Sequence, residues 1–236
     1  MGIGCHTAEG ETSLTDHPLV AIDHILIPVA DLADGARHLE QTYGLRALPG
    51  GRHPGVGTGN MIVPLGSSYL ELIAVVEPAE AGSPSALRVT NALRDGRTFV
   101  TWAARTDRLD ALRARLQAAG VARVVQNGAR ARPDGVMLRW RTLSLVPFGE
   151  PSVLPFIIEW GVPPAQHPAA ATVEHPSGAR GIRRLRLGDP HPDEATRRLA
   201  SLLGEEISTL VVVEPAETPG VVAVELDTPG REVVIT

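Results

Sequence analysis

The chain has 236 residues, of which 43% are apolar and 21% charged, a balance typical of a globular protein with a sizeable core. Its net charge of -5 argues against nucleic-acid or anionic-membrane partners, and no apolar stretch approaches the ~20 residues of a membrane span. All 22 basic residues are arginines, which excludes a Schiff-base lysine, and the single cysteine, Cys5, excludes a disulfide framework and a thiolate zinc site. A cytoplasmic location fits this cysteine content.

The first part of the chain predicts a leader and then one β-α-β-β-β module. Residues 1–17 are polar and are expected to form a flexible leader, and a strand is predicted at 19–29. Apolar residues then recur at helical spacing in "DLADGARHLEQTYGL", which ends at Gly44. The Gly- and Pro-rich stretch "RALPGGRHPGVGTGN" is predicted to be a loop with a short edge strand, and "NMIVPLG" and "SSYLELIAVV" are predicted strands.

The same order of elements repeats in the next part of the chain. "RTFVTWAART" is a predicted strand, and "DRLDALRARLQAAG" is a predicted helix with an apolar stripe. "VARVVQNGARARPDG" predicts a strand and a turn, "VMLRWRTLSL" alternates as a half-buried strand does, and "LPFIIEWG" closes the module. Self-similarity at a period of roughly 80 residues indicates two tandem modules, which together are predicted to occupy residues 18–161.

A third, shorter βαβββ-like module is predicted at the C-terminal end. Residues 162–177 are rich in proline and alanine and are expected to be a linker, in which His167 and His175 are expected to be solvated. Residues 178–236 contain a strand, a helix and three further strands in the predicted order. This unit is expected either to cover an exposed sheet edge or to pair with the same unit of a second chain, which would give a homodimer.

Four stretches carry a resemblance to a known superfamily: "DHILIPVADL", "GGRHPGVGTGN", "YLELI" and "FIIEW". They resemble the vicinal oxygen chelate superfamily and, within it, the glyoxalase-like group, over about residues 19–160. The resemblance implies an α+β fold in which tandem βαβββ modules form a curved open sheet around a cavity. In metal-dependent members, strands one and four of each module supply ligands to a divalent ion.

The resemblance implies that His24, Glu71 and Glu159 bind a divalent metal, which would be Zn, Mn, Fe, Co or Ni. Both His24 and Glu71 lie in apolar strand patterns, where an isolated ionised carboxylate costs several kcal/mol, and a shared cation would offset that cost. The position that faces His24 in the second module falls near Val100 or Thr101, so a fourth ligand is missing. Glu159 is alternatively a catalytic base.

Other residues are assigned to the substrate or left open. His53 and Asn60 are expected to contact the substrate, and His53 is alternatively a further metal ligand. Arg139 and Arg141 share one face of their strand and would suit an anionic substrate if that face lines the cavity. Asp23 points away from His24 in an ideal strand and is therefore expected to be structural.

Two functions follow from this resemblance. The leading hypothesis is a metal-dependent enzyme that stabilises an enolate or oxyanion of a small, oxygen-bearing substrate, with isomerase, lyase and ring-opening dioxygenase chemistry all compatible. The alternative is a metal-free protein that binds or sequesters a small molecule, as bleomycin-resistance proteins of the superfamily do.

Overall fold

The computed structural model of the chain describes residues 20–121, 124–146 and 150–236, so the predicted leader and Cys5 lie outside the described residues. Within these ranges the chain forms strands and helices in the following order. The strands are β1 (Ala21–Pro28), β2 (Leu48–His53), β3 (Thr58–Leu65), β4 (Ser68–Val75), β5 (Thr101–Arg105), β6 (Val125–Ala131), β7 (Met137–Ser144), β8 (Phe156–Trp160), β9 (Gly181–Asp189), β10 (Val211–Pro215), β11 (Gly220–Asp227) and β12 (Val233–Ile235). The α-helices are α1 (Leu32–Tyr43), α2 (Pro84–Arg94), α3 (Leu109–Ala118) and α4 (Pro192–Leu203).

The first two modules join into one eight-stranded sheet with the strand order β2-β3-β4-β1-β5-β8-β7-β6. In each module the first strand lies parallel to the fourth, β1 beside β4 and β5 beside β8, and the antiparallel pair β1–β5 connects the modules. This arrangement confirms the predicted α+β class and the tandem βαβββ architecture. Helix α2, which connects the modules, was not predicted; Ser83 caps its N-terminus and Pro84 occupies its first turn.

The sheet curves until its two edge strands meet. The Nη1 atom of Arg130 on β6 donates a hydrogen bond to the carbonyl oxygen of Gly50 on β2 at 2.8 Å. A Cβ atom built on Gly51 would lie 2.5 Å from the carbonyl oxygen of Ala131, so the two edges are in backbone contact. The inner face therefore encloses a cavity, to which α2 contributes Val89, while α1 and α3 lie on the outer face.

Successive side chains along each strand point alternately to these two faces. On β4, the side chains of Leu70 and Leu72 are fully buried in the apolar core of the outer face, whereas Tyr69 and Glu71 point to the cavity. Helix α1 packs on the outer face and is terminated by Gly44, which adopts a left-handed conformation with φ of 65°.

The C-terminal unit has the predicted element order but a different strand pairing. Its four strands are arranged β10-β9-β11-β12, with β9 parallel to β10 and antiparallel to β11. Its first strand is therefore central and does not lie beside its fourth, as it does in the paired modules. One continuous apolar cluster joins its buried face to the outer face of the large sheet, with Leu185, Leu187 and Val224 on one side and Leu70 and Trp102 on the other.

The linker is attached to the sheet. His175 is 5% exposed, its Nε2 donates to the carbonyl oxygen of Pro64 at 2.7 Å, and its Nδ1 accepts from the backbone of Arg46 at 3.1 Å. The expectation that His175 is solvated is therefore wrong. Among the helices of the described residues, none is long and apolar enough to cross a membrane.

Candidate functional site

The concave face of the eight-stranded sheet lines a cavity of about 310 Å³. This volume falls within the range of small-molecule binding sites. The apolar wall of the cavity combines aliphatic side chains with the aromatic rings of Tyr69, Trp140, Phe156 and Trp160. The indole rings of Trp140 and Trp160 lie 5.5 Å apart.

A buried ion pair lies at the floor of this cavity. His24 on β1 and Glu71 on β4 are 3% and 5% exposed, and their Nε2 and Oε2 atoms are 3.2 Å apart. The two strands are parallel neighbours, so their inward side chains lie next to each other. The imidazole stacks on the ring of Tyr69 with a centroid distance of 4.6 Å, which fixes its orientation. Two of the predicted site residues are thus brought together.

Asp23 orients this pair, contrary to the expectation that it points to the opposite face. Its Oδ1 accepts a hydrogen bond from His24 Nδ1 at 2.6 Å, and its Oδ2 accepts from Trp160 Nε1 at 3.1 Å and from His167 Nε2 at 2.9 Å. The physical reason is a shift in the β1–β5 pairing between Ile22 and His24, which breaks the alternation at Asp23.

His167 is a site residue that the sequence analysis placed in solvent. The backbone N–H of Ala169 donates to its Nδ1 at 3.1 Å, so the ring proton resides on Nε2, which donates to Asp23. No sequence signal connected His167 with Asp23, because 144 positions separate them.

The charges of this cluster are set by its mutual hydrogen bonds. Burial opposes ionisation of His24, but the hydrogen bonds to Asp23 and Glu71 outweigh it and raise the pKa of His24 to about 9. Burial likewise raises the pKa of Glu71, but hydrogen bonding and attraction to His24 lower that pKa to about 2. The pKa of Asp23 is held below its usual range, against burial, by His167 and His24. At neutral pH the cluster is an imidazolium between two carboxylates.

The two predicted substrate contacts also lie at this floor. Asn60 on β3 donates from Nδ2 to Glu71 Oε1 at 2.7 Å, and its buried Oδ1 has no hydrogen-bond partner among the described residues. His53 lies with its Nε2 3.5 Å from Asn60 Nδ2 and is hydrogen-bonded through Nδ1 to Thr58 at 2.8 Å. Burial lowers the pKa of His53, which keeps this ring neutral at pH 7.

Glu159 does not join this cluster, which corrects its assignment as metal ligand and catalytic base. It lies on the outer face of β8, where it accepts from Arg141 Nε at 2.8 Å and from the backbone N–H of Leu109, the first residue of α3, at 3.1 Å. Its strand neighbours Ile158 and Trp160 face the cavity instead. Matching Glu71 of "YLELI" to Glu159 of "FIIEW" is therefore wrong by one residue. A shift of one residue along a strand moves a side chain to the opposite face of the sheet.

The arginines of β7 also face outward. Arg141 pairs with Asp110 and Glu159, and Arg139 is exposed, whereas the intervening Trp140 lines the cavity. The arginines that do line the cavity are Arg88 on α2 and Arg130 on β6. The sequence does not reveal Arg130 as a cavity residue because β6 lacks the clean alternation that separates inner from outer positions.

The residues present do not fit the three-ligand metal centre expected from the sequence. Within residues 20–121, 124–146 and 150–236, no three His, Cys, Asp or Glu side chains are grouped so that they could hold an ion. Strand β8 and the residue before β5 present Val100, Phe156, Ile158 and Trp160 to the cavity, none of which carries an imidazole or carboxylate ligand.

Comparisons with known proteins agree with this architecture. The sequence model of a family described as "Glyoxalase-like domain" matches residues 22–203. A hypothetical protein from Staphylococcus aureus has a similar crystal structure, with 15% identity, a TM-score of 0.63, and coverage of 91% of this chain and 84% of that chain. This similarity shows the fold.

Methylmalonyl-CoA epimerases are also among the similar structures. The Streptomyces coelicolor enzyme, solved with 2-nitronate-propionyl-CoA, is 23% identical with a TM-score of 0.46, and the match covers 61% of this chain and 96% of that one. The Mycobacterium tuberculosis enzyme is 22% identical with a TM-score of 0.44 and coverages of 67% and 98%. None of the curated proteins compared with this chain matches it.

Proposed function

Since this chain belongs to the glyoxalase-like domain family, we propose that it is an enzyme which stabilises an enolate or oxyanion of a small, oxygen-bearing substrate bound in the cavity. The observation that carries this proposal is the buried His24–Glu71 pair, oriented by Asp23 and Asn60 and opening onto a cavity. Ionisable groups with shifted pKa values in a cavity are typical of catalytic sites.

The pair supplies the two groups that enolate formation needs. The Glu71 carboxylate would take the proton from the carbon next to the substrate carbonyl, and the electron pair of that C–H bond would move to the carbonyl oxygen. The imidazolium of His24 would stabilise the resulting oxyanion by a hydrogen bond from Nε2. Return of the proton to the opposite face of the same carbon gives an epimer. Its return to the former carbonyl carbon, with transfer of a hydroxyl proton to the other oxygen, gives an isomer, and neither reaction needs an oxidant or reductant.

Substrate binding would also make Glu71 a better base. In the free site, hydrogen bonding and attraction to His24 lower the pKa of Glu71 to about 2 despite its burial. A substrate oxygen that accepts the Nε2–H bond of His24 weakens that interaction, and burial then raises the pKa of the carboxyl group. Proton abstraction is in this way coupled to correct placement of the substrate oxygen.

A divalent metal ion is the alternative to the His24 imidazolium as the group that stabilises the oxyanion. One observation favours it: Asp23 accepts a hydrogen bond from Nδ1 of His24, which is the outer contact that metal-binding histidines usually make. A bound Zn, Mn, Fe, Co or Ni ion would have two protein ligands here, His24 and Glu71, one fewer than the sequence led us to expect, and would supply Lewis-acid chemistry.

Solvent-deuterium exchange tests the proposal without a known product. Small 2-oxo acids and hydroxyketones, among them 2-oxobutanoate and hydroxyacetone, are incubated in D2O with the protein, and exchange next to the carbonyl is followed by proton NMR. We expect catalysed exchange that falls at least ~100-fold in Glu71→Gln. The matched control Glu159→Gln, on the outer face of β8, should exchange as the wild type does.

The same assay distinguishes the alternatives. Exchange that survives a chelator supports the His24 imidazolium, whereas loss with the chelator and recovery with one of the five metals supports the ion. Catalysed exchange that is unchanged in Glu71→Gln contradicts the proposal. Saturable binding without any exchange would instead indicate the alternative of a metal-free binding or sequestering protein.

A further inference from the structure

Arg130 is a buried cation whose donors are mostly unused. It is 3% exposed and lines the cavity, and its Nη1 donates to the carbonyl oxygen of Gly50 at 2.8 Å. A guanidinium carries five N–H donors, and among the described residues Gly50 is the partner that it finds. No described carboxylate lies within ion-pairing distance of it, whereas Arg132, two residues further along β6, pairs with Asp134 at 2.7 Å.

Glu71 is a carboxylate of the same cavity, but it forms no ion pair with Arg130 among the described residues. Burial lowers the pKa of Arg130, and attraction to Glu71 opposes this. The two oxygens of Glu71 are already engaged, one by Asn60 at 2.7 Å and the other by His24 at 3.2 Å. A buried charge without a partner costs several kcal/mol, and an anionic ligand would remove that cost.

We infer that Arg130 binds the carboxylate of the substrate, so that the ligand of this cavity is an apolar or aromatic carboxylic acid with a second oxygen, such as an aryl 2-oxo acid. This inference rests on the proposed function, because it names the substrate class of the same cavity. The planar guanidinium fork matches a carboxylate, and the indoles of Trp140 and Trp160 provide an apolar wall for the rest of the molecule.

Benzoylformate and its methyl ester test this assignment. They share the aromatic ring and the ketone, but the ester has no negative charge, and neither has a hydrogen on the carbon next to the ketone that could be exchanged. Binding is measured by isothermal titration calorimetry and by quenching of tryptophan fluorescence. We expect the wild type to bind the acid at least ~10-fold more tightly than the ester, since a charge-assisted hydrogen bond contributes about 1.5–3 kcal/mol.

Arg130→Met removes the charge and should abolish the preference for the acid while the ester still binds, which shows that the cavity remains folded. Arg130→Lys, which keeps a cation, should recover part of the preference. The matched control Arg139→Met removes an exposed arginine of the neighbouring strand and should leave the preference unchanged.

Equal binding of acid and ester by the wild type, an unchanged preference in Arg130→Met, or no binding of either compound at about 10 mM would each overturn the assignment. Failure of the proposed enzyme function has a different signature. In that case catalysed deuterium exchange would be absent, while the wild type would still prefer benzoylformate and Arg130→Met would lose that preference.

Discussion

At the scale of single residues, the site combines charges that would each be unfavourable alone. Asp23, His24 and Glu71 are nearly inaccessible to water, yet the imidazolium lies between two carboxylates and each group has hydrogen-bond partners. Removing one member therefore leaves the others without compensation, which makes the cluster sensitive to both mutation and pH.

The pH dependence of stability follows from two of these groups. The pKa of His24 is raised from 6.5 to about 9, so its contribution is complete below pH 6.5 and is lost as the pH rises through about 9. The pKa of Glu71 is lowered from 4.5 to about 2, so its contribution is complete above pH 4.5 and is lost as the pH falls towards 2. We expect urea unfolding to show a decline in stability between pH 6.5 and about 9 that disappears in His24→Gln. A decline of equal size in that variant would contradict the assignment.

Replacing the carboxylate behind His24 should change its titration. In Asp23→Asn the imidazolium loses a negatively charged hydrogen-bond acceptor, so the pKa of His24 should fall from about 9 towards 6.5. Titration of the histidine ring signals by NMR measures this change. Asp34→Asn, which alters an exposed carboxylate on α1, is the control and should leave His24 unaffected. Identical His24 titration in both variants would show that Asp23 does not set its charge.

At the scale of elements, the alternation of strands decides which side chains can meet. One register shift in β1 brings Asp23 to His24, while regular alternation in β8 turns Glu159 towards α3. The expectations for both positions are wrong because an alternating sequence pattern shows that side chains alternate between two faces. It shows neither which face is the inner one nor where the alternation is interrupted. The strand that carries Glu71 is predicted correctly because a short, continuous apolar run is typical of a strand that is buried on both faces.

Strands β2 and β3 approach so closely at Gly50 that no side chain fits there. A Cβ atom there would lie 2.1 Å from Oδ1 of Asn60, which would have to move away from Glu71. Gly50→Ala should therefore reduce the free energy of unfolding by about 1–3 kcal/mol and shift the NMR signals of the Asn60 side-chain amide. Gly82→Ala, where a Cβ atom meets nothing within 4 Å, is the control. Wild-type stability of Gly50→Ala would contradict this packing.

At the scale of the whole molecule, the C-terminal unit completes the core of the paired modules. The apolar cluster runs without interruption from Leu70 and Trp102 of the large sheet to Leu185 and Leu187 of β9. The unit covers a sheet face within its own chain. The predicted boundaries at 161 and 178 remain a proposal, and so does the homodimer, which size-exclusion chromatography with light scattering would detect.

A chain truncated after residue 177 should expose this apolar face. We expect such a protein to aggregate or to unfold at lower urea concentration than the full chain, because buried leucine side chains each contribute about 1.5–3 kcal/mol. Light scattering and urea unfolding of the two proteins measure the difference. A monomeric truncated protein with the stability of the full chain would show that the C-terminal unit is independent.

The sequence by itself predicted most of the elements and four residues that line the cavity, His24, His53, Asn60 and Glu71. Periodicity and the internal repeat predict the βαβββ modules because local hydrogen bonding and burial favour them, and His24 and Glu71 stand out because they are ionisable groups in apolar strands. Only the tertiary structure decided the remaining contacts. Asp23 of β1 binds His167 of the linker, Arg130 lines the cavity, and Glu159 lies on the outer face of the sheet. These positions depend on the curvature of the sheet, on one register shift and on the contact between its two edge strands. All three arise from contacts between distant segments, so they leave no local pattern in the sequence.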